Sequence, residues 1–314
     1  MNTKKIGLRE YMSNKKNIES LKKLLLIMPF MILIAVFAYY PLYGWIYAFY
    51  DFRPPKSLSD CEFVGLQWFA SLIENDVKRD QIIGVLKNTF AMSGLGILTS
   101  WLPLIFAIFL SEIKCSWYKK LVQTLTTIPN FISWVLVYSL AFSIFSSSGM
   151  LNTFLIKLGA ISTPIMFLQS DNHTWLSMWL WGTWKSVGWS AIMYIAAIAG
   201  IDQELYEAAK VDGAKRFQIM RHITIPSLMP TYFILLMLSI ANFLNNGMDQ
   251  YYVFQNAFNS KHIQVLDLFV YNVGLGSGGY SLATAISVLK SLVSVTLLFV
   301  VNGLSKLIRG ESMI

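Results

Sequence analysis

Charge is scarce in this sequence. Only 13% of its 314 residues are Asp, Glu, Lys or Arg, while 55% are hydrophobic. A soluble domain carries about a quarter charged residues, so this composition excludes an ordinary soluble protein and points to a polytopic membrane chain. Cysteine is nearly absent. Cys61 and Cys115 are the two; they fall in loops expected on opposite sides of a membrane, so no disulfide between them is expected. Histidine is equally sparse: His173, His222 and His262 are far apart, and no pair has metal-ligand spacing, which disfavours a metal centre. No GxxxxGK(S/T) phosphate cradle occurs, so the chain has no ATP site of that kind and no cofactor of its own is expected. No HExxH and no Ser-His-Asp grouping suggests catalysis, and the chain is not expected to be an enzyme. Internal repeats, low-complexity tracts and a soluble domain are likewise missing.

What the sequence does have is length in its apolar runs. About 20 apolar residues cross the roughly 30 Å of bilayer hydrocarbon, and six runs qualify: about 24–50, 84–110, 121–145, 175–200, 228–247 and 281–304. The first is too long and too far from the start for a cleaved leader. Pro29 and Pro41 should kink it, and Tyr39, Tyr40, Tyr43, Trp45 and Tyr50 make an aromatic belt at its outer end. Pro129 interrupts the third run, and the fourth is rich in Trp and Gly. Between the fifth and sixth runs the sequence reads as a polar aromatic external loop reaching Tyr280. The expected architecture is an all-α membrane domain over 24–314, preceded by a basic segment, 1–23.

The net charge of +8 could suggest nucleic acid, but its distribution argues for lipid instead. Sixteen of the 25 Lys and Arg flank one side of the runs: seven before the first, three in the turn near residue 115, four in 201–228 and two at the C-terminus. Six lie in the loops on the other side, and Lys87, Lys185 and Lys290 lie within or at the edge of runs. The bias sets both termini and 201–228 in the cytoplasm.

That last stretch, IDQELYEAAKVDGAKRFQIMRHITIPSL, is a charged island between two long apolar runs. Asp202 can cap a helix starting near Gln203, with Glu204 in its favourable first turn. Leu205, Ala208, Ala209 and Asp212 recur at helical spacing, giving a small, flat face. Asp212-Gly213 supplies a left-handed C-cap. A second short helix is expected from Ala214 to about His222, broken or restarted by Pro226. Two short helices joined at a glycine make a protruding knuckle; an ordinary polar loop is the bland alternative.

Glu207-Ala208-Ala209, then Gly213, then Ile223-x-Ile225-Pro226 resembles the EAA loop of bacterial ABC importer permeases. Further segments resemble the LplB-type branch of the carbohydrate (maltose-type) permeases: YYPLYGWIYAFYDF (39–52), FVGLQWF (63–69), LKNTF (86–90), TIPNFISWV (127–135), GIDQELYEAAKVDGA (200–214) and YSLATAISVLKS (280–291). Asp202 stands where that family often has proline. The resemblance implies a type I importer permease with six transmembrane helices. It implies that Glu207, Ala208, Ala209, Asp212, Gly213, Ile223 and Pro226 form a coupling helix docking on a cytoplasmic ATPase. It further implies a second homologous permease, two ATP-binding subunits that hold Mg-ATP, an extracytoplasmic binding lipoprotein and an oligosaccharide substrate.

Polar residues inside spans are costly and tend to face a cavity or a partner. Three patches combine aromatic faces with amides and hydroxyls, the chemistry that grips a sugar: Asn130, Ser133, Trp134 and Tyr138; Trp184, Lys185 and Trp189; and Asn245, Asn246, Asp249 and Gln250. The resemblance places these on cavity-lining helices; interhelical hydrogen bonding and belt placement are the alternatives. Lys185 in WLWGTWKSVGWS either sits deep for a purpose, such as sensing substrate charge, or snorkels to an interface. A secondary transporter would instead need an inverted repeat with paired broken helices, and a membrane enzyme would need clustered ionisable groups. Neither is visible.

Overall fold

The computed structural model describes residues 15–309, and among them every regular element is helical. Most of the expected segment 1–23 therefore lies outside the described residues; its last part belongs to the first helix, α1, Lys15–Ile34. This helix runs through a π turn at Ala35–Tyr39 into a 3-10 segment, Tyr40–Phe49. Pro41 lacks an N–H and clashes with a regular helical ladder, and the π turn just before it absorbs the mismatch. Residues 24–43 are exposed along their whole apolar length, so this span packs on the rest of the chain only near its outer end.

Next come α2 (Gln67–Glu74) and α3 (Asp76–Leu98), the latter capped by Asn75, whose side chain accepts from the Lys78 amide at 3.0 Å. A break at 99–101, not foreseen in the second run, separates α3 from α4 (Leu102–Ser111). The third run is interrupted at its proline as expected: α5 (Ser116–Thr127), a 3-10 turn (Ile128–Phe131), then α6 (Trp134–Phe145) with Ser133 as its cap. A short α7 (Met150–Lys157) precedes α8 (Thr174–Ala199), which matches the fourth run almost residue for residue.

After α8 the chain turns by 69° into α9 (Gln203–Val211), and then α10 (Arg216–Ile219) leads through a π turn, Met220–Thr224, into α11 (Ile225–Ala241). The short second helix expected from Ala214 to about His222 is regular only over Arg216–Ile219; a π turn carries the chain on, and regular helix restarts at Ile225-Pro226 as the fifth span. The long helix α15 (Tyr280–Arg309) closes the fold. Five helical segments are long and apolar enough to cross a membrane, and six if the bent α8–α9 pair counts as one.

The expected external loop between the fifth and sixth runs is a correction too. It folds as α12 (Asp249–Phe254), α13 (Ser260–Ile263) and α14 (Leu266–Tyr271), and it is core. Phe254, Ile263, Val265 and Leu268 pack with Met92, Val137 and Met178 at almost no exposure. Its apolar stretches are individually shorter than a span, so a window tuned to 20 residues passes over them.

Candidate functional site

The knuckle is built from local chemistry. The Asp202 carboxylate accepts from the Glu204 amide at 3.0 Å, capping α9. At the other end Gly213 has φ +76°. The Gly213 amide donates to Lys210 at 3.1 Å and the Ala214 amide to Ala209 at 2.9 Å. That pair of bonds is a Schellman cap, which only a residue at ease with positive φ can close. Gln218 then reaches back to accept from the Lys215 amide at 2.7 Å, fixing the start of α10. The Tyr206 hydroxyl meets the Thr224 hydroxyl at 3.2 Å, tying α9 to the buried start of the fifth span.

Of the residues expected to couple, Glu207, Ala208, Asp212, Gly213 and Pro226 are exposed, and Ala209 and Ile223 are half-buried. Sequence reasoning placed Leu205 on the flat face but passed over Val211 and Phe217. Leu205, Val211 and Phe217 are 50%, 88% and 70% exposed on the same protrusion, where bare apolar side chains point to a partner surface.

Deeper in the molecule, the three patches are only partly united. Trp134 and Tyr138 set ring edges against Phe254 at 6.4 and 5.1 Å, Trp181 lies 5.9 Å from both Phe254 and Trp184, and Phe131 meets Trp189 at 5.5 Å. Gln250 donates to the Met178 carbonyl at 2.6 Å, and Asn246 donates to the Ser93 hydroxyl at 2.9 Å. Asn245 bonds Asn242 at 3.2 Å, while Asp249 stays exposed at the start of α12.

Three hollows are each bordered by one residue of the expected cavity. Trp184 borders one of about 780 Å³ walled by Phe145, Phe167 and Trp181. Trp189 borders one of about 520 Å³ with Thr99, Ser100, Thr183, Ser186, Ser190, Ser239 and Asn242. Asn245 borders a third of about 790 Å³ with Trp45, Tyr271, Tyr280 and the paired Asp267 and Lys290. Asn130, Ser133, Trp134, Tyr138, Asn246, Asp249 and Gln250 line none of these three. The hydroxyl row was missed, although Thr183, Ser186 and Ser190 fall at helical spacing on one face of α8.

Lys185 sits deep, the first of its two expected placements. It does not snorkel, being 8% exposed. Nor does its ammonium face a hollow: it donates to the carbonyls of Pro129, Asn130 and Ile132 at 2.9, 2.7 and 2.6 Å. Its three donors are all used. Among the described residues no group of three His, Cys, Asp or Glu could hold a metal ion.

The chain is similar to proteins already characterised by family. Residues 104–309 match the model of the binding-protein-dependent transport system inner membrane component. Protein LplB of Bacillus subtilis is 35% identical over 90% of this chain and 87% of its own length. The polygalacturonan/rhamnogalacturonan transport system permease protein YteP of the same organism is 36% identical over the same shares. Among solved structures, a chain of a bacterial ABC transporter involved in the import of the acidic polysaccharide alginate is 28% identical, with TM-score 0.80 over 94% of this chain and 100% of that one. Matched in sequence over most of its length and in fold over nearly all of it, the chain belongs to the family of binding-protein-dependent transport system inner membrane components.

Proposed function

We propose that this chain is the membrane-spanning permease subunit of a bacterial ATP-driven importer for oligosaccharides. One observation carries the reading: the fold of an alginate importer chain is matched over 94% of this sequence at 28% identity. A second structure of such an importer is a complex with a periplasmic protein bound to alginate pentasaccharide; its chain gives TM-score 0.82 over 97% of this one. The substrate of this chain would likewise arrive on an extracytoplasmic binding protein.

A second, homologous permease completes the pathway, and two separate ATPase subunits bind and hydrolyse Mg-ATP. The chain itself is a transport subunit and not an enzyme. The charge bias sets both termini and the knuckle in the cytoplasm of a multi-pass plasma-membrane protein. Glu207 through Gly213 seat in the ATPase groove, with Leu205, Val211 and Phe217 supplying its apolar contacts. Closure of the ATPases pulls α9, and the Tyr206–Thr224 contact passes that motion to α11. The hydroxyl-lined hollow beside Trp189 and the aromatic wall at Trp184 form this subunit's share of the sugar path. Ser and Thr hydroxyls suit ring oxygens, and indole faces suit the C–H surface.

The test is ATP-dependent uptake of oligosaccharide into vesicles holding the assembled complex, with Cys61 and Cys115 as orientation markers. Uptake that requires both ATP and the binding protein, with Cys115 labelled only from the ATPase side, is the expected result. Uptake driven by an ion gradient alone would favour a secondary transporter.

A further inference from the structure

Pro129 ends α5 and takes the carbonyls of the break out of the helical ladder. Ile132 and Ser133 are extended, with ψ of 134° and 151°. Inside a bilayer such carbonyls need a partner from elsewhere in the protein. The partner is Lys185, about 16 Å along α8 from Thr174 at 1.5 Å per residue. Its ammonium meets three carbonyls within 3 Å and lies 5.4 Å from the centre of the Trp134 ring. Among the described residues no carboxylate pairs with it. One turn further along α8, Gly188 lets the helix press directly on the backbone: a Cβ there would run into the Thr126 carbonyl.

Unwound carbonyls gathered around one cation is the arrangement by which broken transporter helices hold a coupling ion. Here the cation is covalently attached. We propose that Lys185 is a positioning residue, a tethered counter-cation that holds the break of the third span in shape and sets Trp134 on the aromatic cluster. With every N–H committed, it has no donor left to read the charge of a substrate. This inference rests on the oligosaccharide-permease reading for its transport consequences, though not for its geometry.

The experiment uses the assembled complex in vesicles with Lys185→Ala, one neutral and one uronate-containing oligosaccharide, and added n-propylammonium, which matches the volume removed. Uptake of both sugars should fall by the same factor, about tenfold to a hundredfold, the scale of a misplaced site. Propylammonium should restore part of it, and tetramethylammonium, which has no N–H, should restore none. A loss confined to the uronate sugar would overturn the proposal, as would unchanged uptake of both. If Lys185→Ala does not assemble, Lys185→Arg keeps the charge but cannot bring one nitrogen to three carbonyls, and it should slow both sugars equally. A separate arm needs no transport: a cysteine at Ile132 should react with maleimide faster in Lys185→Ala, and propylammonium should reverse this. No change in that rate would defeat the proposal even if the sugar reading stands; absent uptake by the unmodified complex would defeat the sugar reading alone.

Discussion

Two interruptions of helix, at 212–214 and at 128–133, solve the same problem in opposite ways. At the knuckle the loose backbone groups are satisfied within a few residues: Asp202 caps one end of α9 and the Gly213 turn closes the other. At the third span the carbonyls are satisfied by a side chain 53 to 56 residues away. The first break is exposed to water and can afford a glycine. At the second, Pro129 and Lys185 are buried while Ile128, Phe131 and Ser133 are exposed, and a full charge gathers the carbonyls. The exposed break at the knuckle is self-sufficient; the break in the third span is held by a side chain of the neighbouring helix α8.

This contrast can be tested from its strongest side first. Gly188→Val forces a Cβ and its branches into the Thr126 backbone, which cannot yield as a flexible side chain would. Overpacking costs typically about 1–3 kcal/mol, and the backbone clash places this case at the upper end. The expected outcome is a marked drop in the thermal midpoint of the purified complex with loss of uptake. A midpoint unchanged from the unmodified protein would mean that α8 and α5 are free to separate.

Trp184→Ala removes a 41%-exposed indole from the wall of the aromatic hollow. Uptake should fall about tenfold, the equivalent of about 1.4 kcal/mol, while co-purification of all subunits stays intact. Equal loss of assembly would reassign Trp184 to packing. The smallest effect belongs to the knuckle's entrance. Asp202→Ala loses one cap worth about 1 kcal/mol, so hydrogen exchange of the α9 amides should quicken about fivefold with uptake nearly unchanged.

The same contrast explains what could be read from the sequence. Local chemistry was legible: six apolar runs, the break at Pro129, the cap at Asp202 and the left-handed glycine at 213 all announce themselves within a few residues. The fourth run matched α8 because its ends are marked by polar stretches. What escaped depends on residues far apart in sequence. The sequence of the core helices 249–276 reads as a loop because no single stretch there reaches span length. Lys185 looked like a charge in search of water or substrate, since its carbonyl partners carry no side-chain signature. The hydroxyl row on α8 was present at readable spacing, but its meeting with Thr99, Ser239 and Asn242 required the packing of three helices.

The central claim is that the knuckle passes the energy of ATP to the spans. A Cβ at Gly213 meets nothing within 4 Å, so Gly213→Val acts purely through its φ of +76°, which a β-branched residue adopts only under strain. Glu207→Lys reverses the charge of the exposed face. The most direct measurement is substrate-stimulated ATPase alongside uptake in vesicles carrying either variant. The account predicts that both activities collapse together while the chain still inserts and basal ATPase persists. Coupling equal to that of the unmodified complex in both variants would contradict it and reduce the knuckle to a linker.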